Sequence, residues 1–481
     1  MKNIIKYCLF PCILLAACQP HFDMVPPGGG AVIEQEFTEN WYVTPEGSGV
    51  KNGSDWNNAL PFKDFLTLMS NPNSALSEAG IHLSGGEYLV PEKENAYLPI
   101  SKDILCVRGG YNPELMYDDL SECDPEQWPT VFTGDINEDG IANEGDGAFV
   151  HVTEGNVRFE NITFKNFYQG AEMESELSGK GSPVFGINGT YLTTSVECNN
   201  CIFEDNVNAV AGTGSHEGGT CAFVTAGYFK ARNCIFRNNT ATSRGGALRT
   251  IGKTAVLYLD ACLFTGNKLT TGMFGSVIQN SDGVVCANNC TMIGNEGNGS
   301  SLNGGGAFFL SNNTIIDNSA PNGTNNAAFR CESKTDRNTT LINNLIMNEN
   351  ASGYGLLMNA SGTLVSRGFN LIKNVSLGDG CTDPTVGEDT VKDIVLIGEM
   401  AENCWQWDIS QVEEDLKGYA IADEVYDAAV GFNPANYCGI SVLGRAYATW
   451  VTPNSFAMDA RGEVRGDDGF QPGAYDPNLD E

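Results

Sequence analysis

The 481-residue chain carries 60 Asp and Glu side chains against 27 Lys and Arg, which gives a formal charge of −33. Because a protein that binds nucleic acid neutralises phosphates with Lys and Arg, this balance argues against a nucleic-acid partner. The 56 glycines suit many short strands joined by turns and exclude a mainly helical protein.

Residues 1–17 have the layout of an export signal. Lys2 and Lys6 give it a basic start, and the apolar run from Cys8 to Ala17 that follows is too short to span a bilayer. The run closes on Leu15-Ala-Ala-Cys18, which resembles the lipobox of bacterial lipoproteins, whose Cys is acylated and becomes the mature N-terminus. The alternative is a plain secretory signal that contains a Cys. The resemblance implies a membrane anchor on Cys18 and an outer-membrane lipoprotein of the cell envelope, on a membrane face that stays open.

The segment after the signal is rich in Pro and Gly, and residues 18–40 are predicted to form a flexible tether. Order is predicted to begin at Trp41, with an N-terminal cap over 41–105 that merges into the first coils. Four apolar side chains at helical spacing predict one short amphipathic helix. They are Phe62, Phe65, Leu66 and Met69. Strand-like runs follow at 81–83, 87–90 and 104–107.

One seven-residue sequence motif, called the repeated phrase below, recurs in the middle of the chain. Its period of about 30 residues is typical of stacked repeat architectures. Four strong copies start at Asn200, Asn233, Ala261 and Asn289, as in Asn200-Cys-Ile-Phe-Glu-Asp-Asn206. Weaker copies start at Asn161, Asn313, Asn344 and Asn370. A second column, rich in Gly, recurs at the same period at Gly218, Gly245, Gly275 and Gly305. Glycine there lets the backbone turn with positive φ and lets successive coils approach closely.

Strand alternation assigns a face to each position of the phrase. Side chains two apart share one face, so the Cys and the Phe point together into the core, and the residue between them points outward. The outward aliphatic column therefore contains Ile202, Ile235, Leu263, Ile315, Ile346 and Ile372. These columns predict an all-β chain, a right-handed parallel β-helix whose repeats occupy residues 106–379.

The repeats resemble those of the polymorphic outer-membrane protein family. Phe203-Glu-Asp-Asn206 and Phe236-Arg-Asn-Asn239 match its FxxN motif, and Gly245-Gly-Ala-Leu248 matches its GGA motif. The wider layout resembles right-handed β-helix lipoproteins of Bacteroidetes that carry a choice-of-anchor module. The motifs that bracket the coils in those proteins would here be Tyr42–Gly49 at the N-terminal end and, at the C-terminal end, Asp459-Ala-Arg-Gly462 followed by Pro472–Asp476. Both resemblances imply an architecture and neither implies an activity.

The repeat pattern lapses near residue 379. Residues 380–481 are predicted to form a mixed C-terminal cap with an insertion, and the stretch from Glu413 to Val430 within it favours a helix.

A calcium loop is predicted between Asp135 and Asp146. Oxygen ligands at positions 1, 3, 5, 7, 9 and 12, with Gly140 at position 6, match the loop of the EF-hand type, and the Asp at position 12 makes it more similar to the dockerin version. The ligands would be Asp135, Asn137, Asp139, the Ile141 carbonyl, Asn143 and Asp146. Residues 147–152 favour a strand, so an ordinary turn between coils is the alternative.

Two classes of function fit this scaffold. If the outward aliphatic column is open, it would bind an extended partner such as a glycan or a peptide; the alternative is that a loop or the C-terminal cap covers it. A polysaccharide lyase or glycoside hydrolase would need a base or paired carboxylates. No such motif stands out, although Arg249 could face outward. The leading prediction is a lipid-anchored, non-catalytic, adhesin-like or glycan-binding protein, and the enzyme is the alternative.

Overall fold

We describe the fold from a computed structural model. The structure describes residues 37, 39–71, 79–90, 98–170, 181–190, 193–210, 218–271, 274–297, 300–316, 327–332, 338–342, 344–346, 354–358, 363–366, 370–373, 375–377 and 394–396. The predicted signal and lipobox lie outside the described residues. The predicted tether also lies outside them apart from residues 37, 39 and 40, and so does the predicted C-terminal cap apart from residues 394–396.

The described residues are almost entirely strand and turn. Their helices are α1 (Phe62–Ser70) and a single 3-10 turn at Trp56–Asn58. The strands up to the first long repeat are β1 (Glu39–Thr44), β2 (Leu60–Pro61), β3 (Ala79–Ser84), β4 (Gly86–Leu89), β5 (Leu98–Tyr111), β6 (Thr130–Thr133), β7 (Val150–Glu160), β8 (Ile162–Lys165), β9 (Tyr168–Gln169), β10 (Phe185–Asn188), β11 (Ser195–Asn199), β12 (Ile202–Glu204) and β13 (Val207–Asn208). The later strands are β14 (Ala222–Arg232), β15 (Ile235–Arg237), β16 (Thr240–Ala241), β17 (Leu248–Thr250), β18 (Ala255–Asp260), β19 (Leu263–Thr265), β20 (Lys268–Leu269), β21 (Ile278–Asn280), β22 (Val284–Asn288), β23 (Thr291–Ile293), β24 (Ser300–Gly304), β25 (Ala307–Ser311), β26 (Thr314–Ile316), β27 (Ala327–Cys331), β28 (Asn338–Ile342), β29 (Leu345–Ile346), β30 (Tyr354–Met358), β31 (Thr363–Ser366), β32 (Leu371–Lys373), β33 (Val375–Leu377) and β34 (Ile394–Leu396).

The strands form three parallel sheets that wind around one core. Within the described residues the first sheet has 19 strands, the second has 11 and the third has 4. One complete coil passes through β17 and β18 of the first sheet, β19 of the second and β20 of the third, and β21 then stacks on β17 in register. Parallel crossovers of this kind are right-handed. The chain is a right-handed parallel β-helix, as the repeat predicted.

The N-terminal end of the core is packed against the predicted helix. α1 buries Phe62, Phe65, Leu66 and Met69 in the same apolar cluster that runs through the coils. The predicted strands at 81–83, 87–90 and 104–107 correspond to β3, β4 and β5. At the other end, β34 pairs with β32 and extends the second sheet beyond the point where the sequence pattern lapses.

The leading residue of each phrase occupies the corner between the first and second sheets. Asn161, Asn200, Asn233, Ala261, Asn289 and Asn312 have φ between +50° and +58°. Asn tolerates this left-handed backbone better than other residues that carry a Cβ. The corner therefore explains why the phrase begins with Asn.

The inward columns follow the prediction in the four strong copies. Phe203, Phe236 and Phe264 stack with ring centroids 4.7 and 4.5 Å apart and nearly parallel planes. The Cys two positions before each Phe is buried in the same core. Every Cys among the described residues is a free thiol. Parallel in-register stacking thus places like side chains on like.

The predicted register is wrong beyond Asn289. Asn312, and not Asn313, has the left-handed corner backbone, and Thr314 pairs with Thr291 while Ile315 pairs with Met292. A shift of one residue moves every side chain to the opposite face of a strand. Ile315, Ile346 and Ile372 are therefore core residues and do not face outward. The predicted glycine column also slips there, because Gly305 lies at the bend between β24 and β25.

Asparagine takes over the Cys position after this shift. Asn313, Asn344 and Asn370 are buried. The side-chain amide of Asn313 donates to Asn344 Oδ1 at 3.0 Å, and that of Asn344 donates to Asn370 Oδ1 at 2.9 Å. A second buried ladder joins Asn206, Asn239, Asn267 and Asn295, with three Nδ2–Oδ1 distances of 2.9 Å. Because a buried amide needs partners, two fully bonded ladders fix the coil-to-coil register.

Candidate functional site

The predicted aliphatic binding column forms only in part. Ile202 and Ile235 face outward from the second sheet and are half-buried, whereas Leu263, in register with them, is 2% exposed. Two outward residues farther along, Thr291 and Leu345, are buried as well. The covered alternative therefore holds from Leu263 onward, and a binding role for Ile202 and Ile235 stays a prediction.

The charged side chains on that outer face pair with each other. Arg237 Nε donates to Glu204 Oε2 at 2.6 Å, and Lys165 Nζ lies 3.4 Å from Glu204 Oε1. These residues belong to three successive coils of the second sheet. The contacts neutralise charge between coils, so this face offers no concentrated charge to a ligand.

A different outward column, on the first sheet, carries polar side chains. Leu248, Ile278 and Leu302 point into the core, so the residue after each points outward by strand alternation. Strand register then aligns one residue from each of several coils about 4.8 Å apart. In coil order this outer polar column consists of His151, Gly186, Phe223, Arg249, Gln279, Asn303 and Arg330.

The two arginines of the outer polar column are held by neighbours. Arg249 is 1% exposed, and its guanidinium carbon lies 5.2 Å from the centroid of the Phe223 ring, a cation–π distance. Arg330 Nη2 lies 2.8 Å from Glu332 Oε1. The outward direction that the sequence suggested for Arg249 is confirmed.

Gln279 and Asn303 lie between these arginines on adjacent coils. They are 5% and 0% exposed, and no described part of the chain bonds to Gln279 Oε1 or to either polar atom of the Asn303 side chain. Leaving a buried polar group unpaired costs about 1–3 kcal/mol, which makes such groups rare and worth explaining. The pair thus holds buried amide hydrogen-bonding capacity that the described residues leave unused.

The sequence contains a signal for this column that the repeated phrase does not carry. Four of the outward residues follow a glycine by four positions, whereas Arg330 follows Asn326: Gly219 and Phe223, Gly245 and Arg249, Gly275 and Gln279, Gly299 and Asn303. The repeated phrase lies on the second sheet and gives no information about strands of the first. Counting four residues onward from each glycine aligns the outer polar column from the sequence alone.

The buried carboxylates on the neighbouring strands of the first sheet are paired with cations or amides. Asp260 accepts from Arg232 Nε at 3.2 Å and from Asn288 Nδ2 at 2.9 Å, and burial raises the pKa of its carboxyl. Glu160 lies between Arg108 and Arg158, at 2.6 and 3.0 Å. The Arg108–Glu160, Arg232–Asp260 and Asn288–Asp260 contacts bridge coils as the ladders do, whereas Arg158 and Glu160 belong to the same strand. Among the described residues, neither carboxylate is placed opposite a second one to act as an acid–base pair.

The carboxylates of the predicted calcium loop accept hydrogen bonds from the backbone of the same loop. Asp135 accepts from the amide nitrogens of Asp139 at 3.1 Å and Gly140 at 2.8 Å, and Asp139 accepts from that of Ile141 at 3.1 Å. Gly140 has φ +84°, a backbone that favours glycine. The turn expected at position 6 is therefore present.

The last predicted ligand, Asp146, is buried beneath the loop. Its two oxygens accept from the backbone nitrogens of Ile136 at 3.1 Å and Asn143 at 2.8 Å. Burial raises the pKa of this carboxyl, and the backbone hydrogen bonds oppose that rise. Among the described residues, no group of three or more His, Cys, Asp or Glu side chains is arranged to hold a metal ion. The carboxylates accept hydrogen bonds from backbone amides, and the binding of a calcium ion by this loop stays a prediction.

Comparisons with known proteins give no family. No family model matches the chain, and no curated protein matches it. Among solved structures, the chain is similar to pectate lyase Pel9A with a TM-score of 0.39 and 12% sequence identity, over 91% of this chain and 90% of that one. A likeness this remote carries no argument about activity. Within the described residues, no helix is both long and apolar enough to cross a membrane.

Proposed function

We propose that this chain is a lipid-anchored protein of the bacterial cell envelope whose β-helix binds a glycan without cleaving it. The observation that supports binding is the outer face of the second sheet, where Ile202 and Ile235 lie in register on successive coils and remain partly exposed. Glycans present hydroxyls together with apolar ring faces, and the Glu204 and Arg237 side chains beside the two isoleucines can accept from and donate to hydroxyls. An extended peptide is the other ligand class that a stacked column could accommodate.

The composition of the outer polar column argues against hydrolysis. A glycoside hydrolase places two carboxyl groups across the scissile bond, and the outer polar column contains no Asp or Glu. A lyase is the second candidate, because Arg249 lies in the column and a cation can stabilise the charge that develops during proton abstraction.

A single preparation can separate these functions. We expect the full chain carrying Cys18→Ser, which is free of lipid, to bind glycans on an array. The same preparation, incubated with each bound polysaccharide, should release no reducing sugar and no unsaturated product. Release from any polysaccharide would establish the enzyme instead, and the absence of binding to every glycan would refute the proposed function.

The anchor is a separate part of the proposal and is supported by Leu15-Ala-Ala-Cys18. If Cys18 is acylated, the wild-type chain should incorporate radiolabelled palmitate in cells and sediment with membranes. Cys18→Ser should do neither, because the thiol that carries the lipid is gone. Incorporation of label by Cys18→Ser would show that the anchor is elsewhere.

Calcium is proposed for the loop between Asp135 and Asp146. Its carboxylate, amide and carbonyl oxygens are the hard ligands that calcium prefers, and the glycine turn is in place. Titration of the full Cys18→Ser chain, stripped with a chelator, should show heat on addition of calcium. Asp139→Asn should weaken that binding, because it removes one charge from the ligand set. No heat at millimolar calcium would contradict a site here.

A further inference from the structure

The accessible part of the outer second-sheet face extends beyond Ile202 towards the N-terminal end of the chain. In register with Ile202 and Ile235, the same outward column contains Thr163 on β8, Val131 on β6 and Glu87 on β4. Thr163 and Val131 are half-buried, and Glu87 is exposed. These residues form one row of solvent-accessible side chains along the axis of the helix, which we call the open strip.

The open strip has a defined end and a defined length. It ends at Leu263, which follows Ile235 in register and is only 2% exposed. The strip has one residue on each of β4, β6, β8, β12 and β15. Because parallel strands lie about 4.8 Å apart, it runs roughly 19 Å along the axis. An extended ligand that lies along the axis therefore meets a new side chain at each coil.

The charged side chains beside the open strip compensate one another. Lys165, Glu204 and Arg237 each lie two positions after a strip residue, on three successive coils. Arg237 Nε donates to Glu204 Oε2 at 2.6 Å, and Lys165 Nζ lies 3.4 Å from Glu204 Oε1. A polyanion thus meets paired cations and the repulsion of a net charge of −33. Hydroxyls can still bond here, since a carboxylate accepts several hydrogen bonds and a guanidinium has five N–H donors.

We propose that the open strip binds an uncharged polysaccharide that is extended along the helix axis, with one sugar unit on each coil. A pyranose unit in an extended chain is about as long as the spacing between coils. Apolar ring faces pack on Val131, Ile202 and Ile235, and hydroxyls bond to the charged side chains beside them. This inference rests on the proposed glycan binding, and it names the class of ligand and the extent of the same surface.

Ligand length and ligand charge test the proposal. The affinity of the full Cys18→Ser chain is measured for cello-, manno- and xylo-oligosaccharides of increasing length and for oligogalacturonates. We expect the affinity for a neutral series to rise with each unit up to the pentasaccharide and then to level off, because the strip crosses five strands.

The outcomes of this measurement separate the strip from glycan binding in general. Tighter binding of oligogalacturonates, or an affinity that stops rising at the disaccharide, would refute the open strip and leave glycan binding intact. So would binding of other glycans on an array by a protein that binds none of the three neutral series. If the protein binds no glycan at all, the proposed function fails together with the strip.

Substitutions in the open strip test its extent. Val131→Glu and Thr163→Glu each place a carboxylate on the strip, on neighbouring coils. Each should weaken hexasaccharide binding roughly tenfold, because the apolar ring face would have to desolvate that charge. Val207→Glu is the matched control, since Val207 is also a half-buried valine but lies on β13 of the third sheet.

The control should bind the hexasaccharide as the wild type does. All three variants change partly exposed positions, so their Tm should stay within a few degrees of the wild type, which shows that they are folded. Unchanged affinity in both strip variants, or an equal loss in Val207→Glu, would contradict the open strip.

Discussion

At the scale of single residues, His82 shows how burial fixes a protonation state. Its Nδ1 lies 3.0 Å from the Tyr111 hydroxyl and its Nε2 lies 3.0 Å from Asn40 Oδ1. Burial, assisted by Arg108, lowers the pKa of His82 from 6.5 to about 4. With a carbonyl oxygen at Nε2, the neutral ring donates from Nε2 and accepts from Tyr111 at Nδ1.

This shift predicts a pH dependence of stability. The pKa of His82 is lower in the folded protein than in the unfolded chain, so its contribution to stability is fully present above pH 6.5 and is lost as the pH falls towards 4. The loss is on the order of 3 kcal/mol over that window. Denaturant unfolding of wild type and His82→Gln between pH 7 and 4 should show a steeper fall for the wild type. Parallel curves would contradict the assignment.

The column of buried Cys side chains predicts that a substitution there lowers the stability of the protein without changing ligand binding. Cys201 is fully buried, and its Sγ lies 3.5 Å from the Phe159 carbonyl oxygen. Cys201→Ala removes one buried heavy atom and should lower the free energy of unfolding by about 1 kcal/mol. Glycan affinity should not change, because the side chain faces the core. The control, Cys123→Ala at an exposed position, should be nearly neutral, and an equal loss in both variants would argue against a specific packing role.

At the scale of elements, the buried asparagine ladder holds successive coils in register. Asn239 donates to the Phe203 carbonyl oxygen and to Asn267 Oδ1, both at 2.9 Å, and accepts from Asn206 Nδ2 at 2.9 Å. Asn239→Leu leaves buried partners unpaired above and below it. We therefore expect a loss of about 2–4 kcal/mol in the free energy of unfolding, measured by denaturant titration. A loss below about 0.5 kcal/mol, which is typical of surface substitutions, would mean that the ladder is not a major stabilising element.

The sequence predicted the elements better than their register. Amphipathic spacing located α1, and the repeated phrase located the strands of the second sheet. The register failed at Asn312-Asn313, where two adjacent asparagines both fit the start of the phrase. The backbone decides between them, because only Asn312 has the left-handed φ. Alternation alone could not make that choice, since both registers place an aliphatic residue in the core.

The outer polar column was missed in the sequence for a related reason. The phrase describes strands of the second sheet, and its outward aliphatic residues attracted the binding prediction. The outer polar column lies on β17, β21 and β24 of the first sheet, whose sequences share only a preceding glycine. A site composed of one residue from each coil becomes visible when the coils are stacked, and Gln279 and Asn303 are 24 positions apart in the chain.

At the scale of the whole molecule, the β-helix is one continuous core with distinct surfaces. The apolar cluster runs from Val43 and α1 to Ile372, so each coil is supported mainly by its neighbours. On the outside, the second sheet pairs its charges between coils and leaves Ile202 and Ile235 partly exposed, whereas the Arg249, Gln279 and Asn303 side chains of the outer polar column are buried. The proposed glycan binding is therefore assigned to the outer face of the second sheet.

A crystal structure of the full Cys18→Ser chain with a bound oligosaccharide tests this assignment most directly. We expect an intact saccharide on the outer face of the second sheet, in contact with Ile202 and Ile235. A saccharide on any other face, or a cleaved product anywhere on the protein, would contradict the assignment.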